Sequence, residues 1–219
     1  MTKKNKQPWP TKAVMDQIYE RHLWGGNDHD FYSGSGSHDP EITIPYLSAV
    51  THFLKTHNNN LIVCDLGCGD FNIGKQLLPF TKHYNAIDIV ENLINRNKKR
   101  YPSEKVSFQC LDISKDALPP ADCIILRQVL QHLSNTEIHN ILNKLYDYKY
   151  IILTEHLPSG DFIPNSDIIS GQGIRIKKNS GVDILAAPFH FKVKEIKHLG
   201  KQILNDGKGC LVTMLFTLF

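Results

Sequence analysis

Val63-Cys64-Asp65-Leu66-Gly67-Cys68-Gly69-Asp70 is the stretch that decides the fold. An apolar run closes on an acid, and two glycines one residue apart follow it. Glycine lets a backbone turn sharply and come close to a ligand, and the helix expected just beyond presents unpaired N–H groups at its start. In a doubly wound sheet, ligands sit beyond the carboxyl ends of the strands, where this loop falls. The spacing argues against a dinucleotide. That fingerprint needs a third glycine three residues after the second, yet the position is Asn72 and the next glycine is Gly74. Asp65 and Asp70 would repel a pyrophosphate; they suit a ligand with cationic groups, such as a sulfonium and an α-ammonium.

Outward from this loop, short apolar runs recur at 61–66, 84–89, 106–111, 123–126 and 150–155, with helical periodicity between most of them, as at 91–100 and 135–146. Continuous apolar strands alternating with helices mark a parallel sheet covered on both faces. The 116–121 connection holds Pro119-Pro120 and predicts only a loop or a brief helix. Near the end, Phe189, Phe191 and Val193 alternate with His190, Lys192 and Lys194, which predicts a half-buried strand. Asn205-Asp206-Gly207 predicts a turn, and 210–219 a second strand antiparallel to the first. Ahead of the core, 11–23 and 40–57 carry helical spacing. Between them lie Trp24-Gly25-Gly26 and the small, polar Ser33-Gly34-Ser35-Gly36-Ser37, which reads as a mobile loop, either a plain linker or a lid. The domain reading is a helical leader and lid over 1–57, then a core over 58–219 with an inserted substrate wall around 157–188.

The bulk numbers bound the function. The 219 residues suffice for one good core and fall short of two full domains, and 41% hydrophobic with 21% charged residues excludes a disordered chain. A net charge of +3 is too small a surplus to argue for a nucleic-acid partner. The basic clusters Lys3, Lys4, Lys6, then Arg96, Lys98, Lys99, Arg100, then Lys192, Lys194, Lys197 read first as solvated faces. Five cysteines, an odd number lying mostly in apolar runs, point to buried thiols in a reducing compartment. Cys64 and Cys68 have no second Cys/His pair at ligand spacing, so no metal is expected. No apolar run approaches the ~18 residues of a membrane span, and the Lys-rich segment 1–10 lacks the apolar centre of a secretory signal. A cytoplasmic protein with no membrane partner is expected.

The strand ends carry the strongest combination. Asp88 closes the second apolar run about 20 residues past Gly67, where a carboxylate accepts from both hydroxyls of a ribose. Asp112 closes the third, placed to accept from an adenine amino group. Over residues 61–155 the sequence resembles the class I S-adenosylmethionine-dependent methyltransferases. The family's glycine motif corresponds to Asp65-Leu66-Gly67-Cys68-Gly69, its ribose-binding acid to Asp88 and its adenine-contacting acid to Asp112. Arg127-Gln128-Val129-Leu130-Gln131-His132-Leu133 is similar to the stretch that borders the methyl donor. The resemblance implies S-adenosylmethionine as cofactor, held by Asp65, Gly67, Cys68, Gly69, Asp88, Ile89, Asp112, Ile113 and Arg127. It also implies a doubly wound α/β fold whose seven-stranded sheet is parallel except for one strand inserted near the edge. The Trp24-Gly25 and 33–37 pattern looks like the front of bacterial methyltransferases that modify glycans and small molecules.

Methyl transfer asks a protein mainly to align donor and acceptor and to exclude water. A hydroxyl acceptor also needs a base to take its proton. His132, six residues past the end of the fourth apolar run, is the leading base candidate, the alternative being that it only packs against the cofactor side. Glu155 and His156, at the end of the fifth run, come next. Arg127 contacts the cofactor or an acidic substrate, or forms a structural ion pair. Arg175, in the inserted wall, either holds a phosphate or carboxylate or is an ordinary surface arginine. The expected function is O-methylation of a small molecule or glycan. One rival is an RNA methyltransferase, although the Asn/Asp-Pro-Pro-aromatic motif of base-amino methylation is absent after the fourth run. Another is a non-catalytic S-adenosylmethionine-binding module, against which the intact set of Asp65, Gly67, Gly69, Asp88 and Asp112 argues.

Overall fold

The structure, a computed structural model, describes residues 8–26, 30–204, 207 and 209–219. Lys3, Lys4 and Lys6, and Asn205 and Asp206 of the expected turn, lie outside the described residues. Strand β1 (Ile62–Leu66) stands in the middle of a seven-stranded sheet. It pairs in parallel with β2 (His83–Asp88) on one side and β4 (Cys123–Arg127) on the other. Strand β3 (Val106–Cys110) extends the sheet beyond β2, and β5 (Tyr150–Leu157) extends it beyond β4. The order is completed by β6 (Glu195–Ile203) and β7 (Cys210–Thr217) as β3-β2-β1-β4-β5-β7-β6, with β7 antiparallel to both neighbours. The chain reverses its direction of travel across the sheet between β1 and β4, which opens a crevice at their carboxyl ends.

Two apolar clusters cover the two faces, because successive strand residues point to opposite sides. Cys64 and Leu66 of β1 pack with Ile138, Ile141, Leu142 and Leu145 of α5 (Asn135–Leu145), whose i, i+3, i+4, i+7 spacing sets one apolar stripe. Helix α5 begins on a capping box in which Ser134 and Glu137 satisfy each other's backbone N–H groups. Val63 points the other way, toward Tyr46, Val50, Phe53 and Leu54 of α2 (Pro40–Thr56), which starts on an Asp39 cap with proline at N1. Fully burying a residue such as Val50 or Leu54 contributes about 1.5–3 kcal/mol. Helix α1 (Thr11–Glu20) buries Met15, Ile18 and Tyr19 in the α5-side cluster. Both leader helices therefore pack onto the core. The short α3 (Gly74–Leu77) and the helix α4 (Glu91–Arg100) complete the layers.

Two expectations are corrected. The leader helix ends at Glu20 rather than Leu23, because His22 adopts a left-handed φ of 49° that cannot continue a helix and leaves Leu23 largely exposed. Residues 189–194 are not a strand. Phe189 and Phe191 are buried as their alternation suggests, but the N–H groups of Phe189 and His190 both return to the Ala186 carbonyl. His190 itself has φ 46°, so the chain turns there. The partner of β7 is β6, which begins one residue after that stretch and is mostly exposed. As expected, residues 116–121 form no helix or strand. Among the described residues, no helix is long and apolar enough to cross a membrane and no cluster of ligands suits a metal ion.

Candidate active site

A cavity of roughly 410 Å³ opens at the carboxyl ends of β1, β2, β3 and β4, within the ~300–1,000 Å³ of small-molecule sites. Its floor is the loop after β1. The N–H groups of Gly67 and Cys68 both donate to the Ile87 carbonyl at 2.8 Å, which folds the loop over the end of β2. Gly67 has φ 85°, and a Cβ there would lie 2.5 Å from Val129 Cγ2, so only glycine fits both the turn and the packing. Asp88 ties the floor together, accepting from Gly69 N at 3.0 Å and Val90 N at 3.1 Å. Burial pushes its carboxyl up to about 6, against those backbone N–H groups, which favour the charged form. Gly67, Cys68, Gly69, Asp88, Ile89, Asp112 and Ile113 all line the cavity. Asp112 accepts from Ser114 N, Ser114 Oγ and Lys115 Nζ. Despite the cost of its partial burial, these bonds hold its carboxyl below the usual range.

The acids flanking the glycines sit differently from what their charge suggested. Asp65 is buried and does not line the cavity; its Oδ2 accepts from the Tyr84 hydroxyl at 2.9 Å, and desolvation raises it to about 7. Asp70 is spent on the leader, accepting from Ser33 N and meeting His38 Nε2 at 2.6 Å.

The roof is the leader. Ser33 Oγ accepts from Asp70 N at 2.8 Å and meets the Tyr19 hydroxyl at 3.0 Å, so Ser33 and Asp70 bond each other reciprocally. Asn72 Nδ2 donates to the Ser37 carbonyl. Arg127, at the end of β4, donates to Ser37 Oγ and the Gly36 carbonyl while its guanidinium lies 4.8 Å from the Tyr46 ring centre. Arg127 thus pins the 33–37 segment, and both line the cavity. That segment includes a 3-10 turn at Ser35–Ser37 and is tied down on three sides.

The 3-10 turn Leu130–His132 follows β4. His132 lines the cavity beneath Trp24, with ring centroids 5.2 Å apart. Burial pushes its imidazole down to about 4, so it is uncharged at neutral pH. His156 also lines the cavity, while Glu155 does not. Glu155 is buried and accepts from Leu130 N at 3.1 Å and Gln131 N at 2.9 Å; desolvation raises it to about 8. Arg175 is neither a surface residue nor free for an anion. It is 1% exposed, and its guanidinium donates to the carbonyls of Ser166, Leu130, Gln131 and Leu133 and to Asn135 Oδ1.

Gln131 falls in the stretch similar to the one that borders the methyl donor and Gln172 in the expected wall, but sequence reasoning did not single out Trp24, Gln172 or Glu137 as cavity-lining side chains. Glu137 carried a visible signal, because Ser134 three residues before it spells a capping box; its carboxylate also takes the Thr11 and Ser170 hydroxyls. The others reach the cavity through loops that carry no periodicity. Of the basic clusters, Arg96 and Arg100 both pair with Asp30, which removes part of the apparent surplus charge.

Comparison with known proteins agrees with this geometry. Residues 63–148 match a family model described as a methyltransferase domain. Bovine acetylserotonin O-methyltransferase is 33% identical over 89 residues, 39% of this chain and 26% of that enzyme. Among solved structures, the N-methyltransferase NodS of Bradyrhizobium japonicum with S-adenosyl-L-homocysteine superposes with a TM-score of 0.65 at 14% identity, covering 93% of this chain and 98% of NodS. Human N-acetylserotonin methyltransferase with S-adenosylmethionine gives 0.60 at 16% identity, covering 96% of this chain and 60% of the human one. The matched stretch thus spans about a quarter of the curated relative, and the structural likeness establishes the fold.

Proposed function

We propose that this chain, which has the class I methyltransferase fold and matches a methyltransferase-domain model over residues 63–148, transfers a methyl group from S-adenosylmethionine to a hydroxyl of a small molecule. The observation that carries this reading is one cavity lined both by Asp88 with the glycine loop and by an uncharged imidazole, His132. The residues fit the cofactor. A carboxylate already aimed by two backbone N–H groups suits a ribose diol, and Gly67 lets the loop turn against Val129 more closely than any Cβ would allow. Asp88, Gly67 and Gly69 would hold the sugar and the methionyl part, and Leu111, Asp112 and Ile113 would flank the base. When bound, the cofactor supplies a methyl group activated by a sulfonium.

The chain's own work is alignment, dehydration and proton removal. The leader segment 33–37, Tyr19 and Trp24 shield the cavity from water. His132 takes the acceptor's proton. A low basicity serves this role, because the acceptor oxygen becomes strongly acidic only as the new bond forms. An uncharged imidazole also avoids setting a second cation beside the sulfonium. The acceptor is a small molecule or the end of a glycan, entering past Trp24, Gln172 and Ile174. Five free cysteines, four of them buried, support a reducing, cytoplasmic setting.

Calorimetric titration with S-adenosylmethionine tests the reading. Wild type should bind at micromolar concentration, and Asp88→Ala should lose at least about 100-fold, since hydrogen bonds to a charged group contribute about 1.5–3 kcal/mol each. A folded wild type that binds no cofactor, or an Asp88→Ala variant that binds as well, overturns it.

A further inference from the structure

The turn that carries His132 is held from both sides by the buried side chains of Glu155 and Arg175, neither of which lines the cavity. Glu155 takes the N–H groups of Leu130 and Gln131, and Arg175 takes the carbonyls of Leu130, Gln131 and Leu133 at 3.2, 3.3 and 2.8 Å. All five guanidinium N–H donors of Arg175 are spent, the remaining two on Ser166 O and Asn135 Oδ1, and the side chain is 1% exposed. Burying a guanidinium is costly unless every donor is matched, and here every one is.

The same inserted segment fixes the imidazole itself. His132 Nδ1 lies 3.1 Å from the Gly171 carbonyl, which can only accept, while Gly171 N donates to the His132 carbonyl at 2.9 Å. On the other side, His156 N can only donate, and it donates to Gln131 Oε1 at 3.3 Å. That orients the Gln131 amide so that its Nε2 faces His132 Nε2 at 3.2 Å, where the amide must donate and the ring nitrogen accept. The two ends have fixed polarity and agree: the proton belongs on Nδ1, and the Nε2 lone pair accepts from the Gln131 amide.

We propose that Arg175 is a positioning residue, anchoring the 166–175 segment so that His132 is held as the Nδ1–H tautomer, with Nε2, bonded to the Gln131 amide until an acceptor displaces it, as the nitrogen that takes the proton. Its relevance to catalysis rests on the reading of His132 as the base. The tautomer itself does not, and can be measured without any acceptor. The segment also reaches the roof, through Gln172 Nε2 on the Leu23 carbonyl at 2.8 Å. Ordering of the leader and ordering of His132 are therefore linked by one stretch of chain.

Nitrogen-15 NMR of imidazole-labelled protein tests this, with the His132 resonances assigned by their disappearance in His132→Asn. The wild type is expected to show a protonated Nδ1 and an unprotonated Nε2 at neutral pH. Arg175→Lys, which offers three donors for five sites, is expected to mix the tautomers, with S-adenosylmethionine affinity changed less than about twofold. A wild-type ring protonated on Nε2 overturns the proposal, and that measurement needs no variant to fold. So does an Arg175→Lys protein that keeps the wild-type tautomer while losing thermal stability, which would make Arg175 a scaffold residue only. Absence of cofactor binding in the calorimetry would sink the methyltransfer reading while leaving the tautomer result to stand or fall by itself.

Discussion

The floor and the roof of the cavity are built on different principles. The floor is assembled by the sheet: Gly67, Gly69, Asp88 and Asp112 stand where β1, β2 and β3 end, and neighbouring strands fix their spacing. The roof is assembled by loops that hold one another across long stretches of chain, as Ser33 holds Asp70 and Gln172 holds Leu23. A sheet-built surface has one geometry, because moving it means breaking strand pairing. A loop-built surface can open one hydrogen bond at a time. Damage to the floor should therefore abolish binding, and damage to the roof should alter how long a ligand stays.

The largest expected effect is on the floor. Gly67→Ala places a Cβ 2.5 Å from Val129 Cγ2 at a φ of 85°, where an L residue is strained. Strain and displacement together should cost about 3 kcal/mol of binding, or about 100-fold in S-adenosylmethionine affinity, with the fold retained by circular dichroism. Affinity within about threefold of wild type would mean that the floor yields as easily as a loop, and the contrast would collapse.

How much of each surface could be read in the sequence follows the same division. Each of β1 to β5 was foreseen to within about two residues, because parallel strands buried on both faces read as continuous apolar runs. The edge strand β6 was not, since an exposed strand rich in Lys and Glu carries no apolar signature, while buried Phe189 and Phe191 mimicked one on a turning chain. In the site, the glycines and Asp88 announced themselves by position at strand ends. Arg175 had no such signal: its partners are backbone carbonyls 9 to 45 residues away, and any residue supplies a carbonyl. Strand-end position likewise does not reveal that Tyr84 claims the Asp65 carboxylate.

An intermediate effect sharpens the electrostatics of the floor. Burial raises Asp88 to about 6, and a sugar hydroxyl favours its charged form. Below pH 6 the carboxyl must release a proton to bind, so affinity should fall by up to about tenfold between pH 6 and pH 5. Calorimetry at pH 5 in buffers of different ionisation enthalpy should report proton release. For folding the sign reverses: a carboxyl that holds its proton more tightly when folded favours the fold below about pH 4, and this contribution is gone above pH 6. An affinity flat from pH 7 to pH 5 would remove Asp88 from the contact.

The smallest expected effect is on the roof, and it separates the two surfaces most cleanly. Ser33→Ala removes the hydroxyl that accepts from Asp70 N and meets the Tyr19 hydroxyl. It leaves Ser33 N on Asp70 Oδ2 and the Arg127 and Asn72 bonds to residues 36 and 37 in place. An unmatched N–H costs about 1–3 kcal/mol if it stays buried, and less here because opening the roof lets water reach it. The equilibrium affinity should weaken by only about three- to tenfold, with most of the change in a faster cofactor off-rate seen by stopped-flow fluorescence of Trp24. Melting temperature should move little, because the sheet does not depend on this bond. A loss as large as that of Gly67→Ala would show that the leader is part of the floor's architecture, and that the cavity has one construction rather than two.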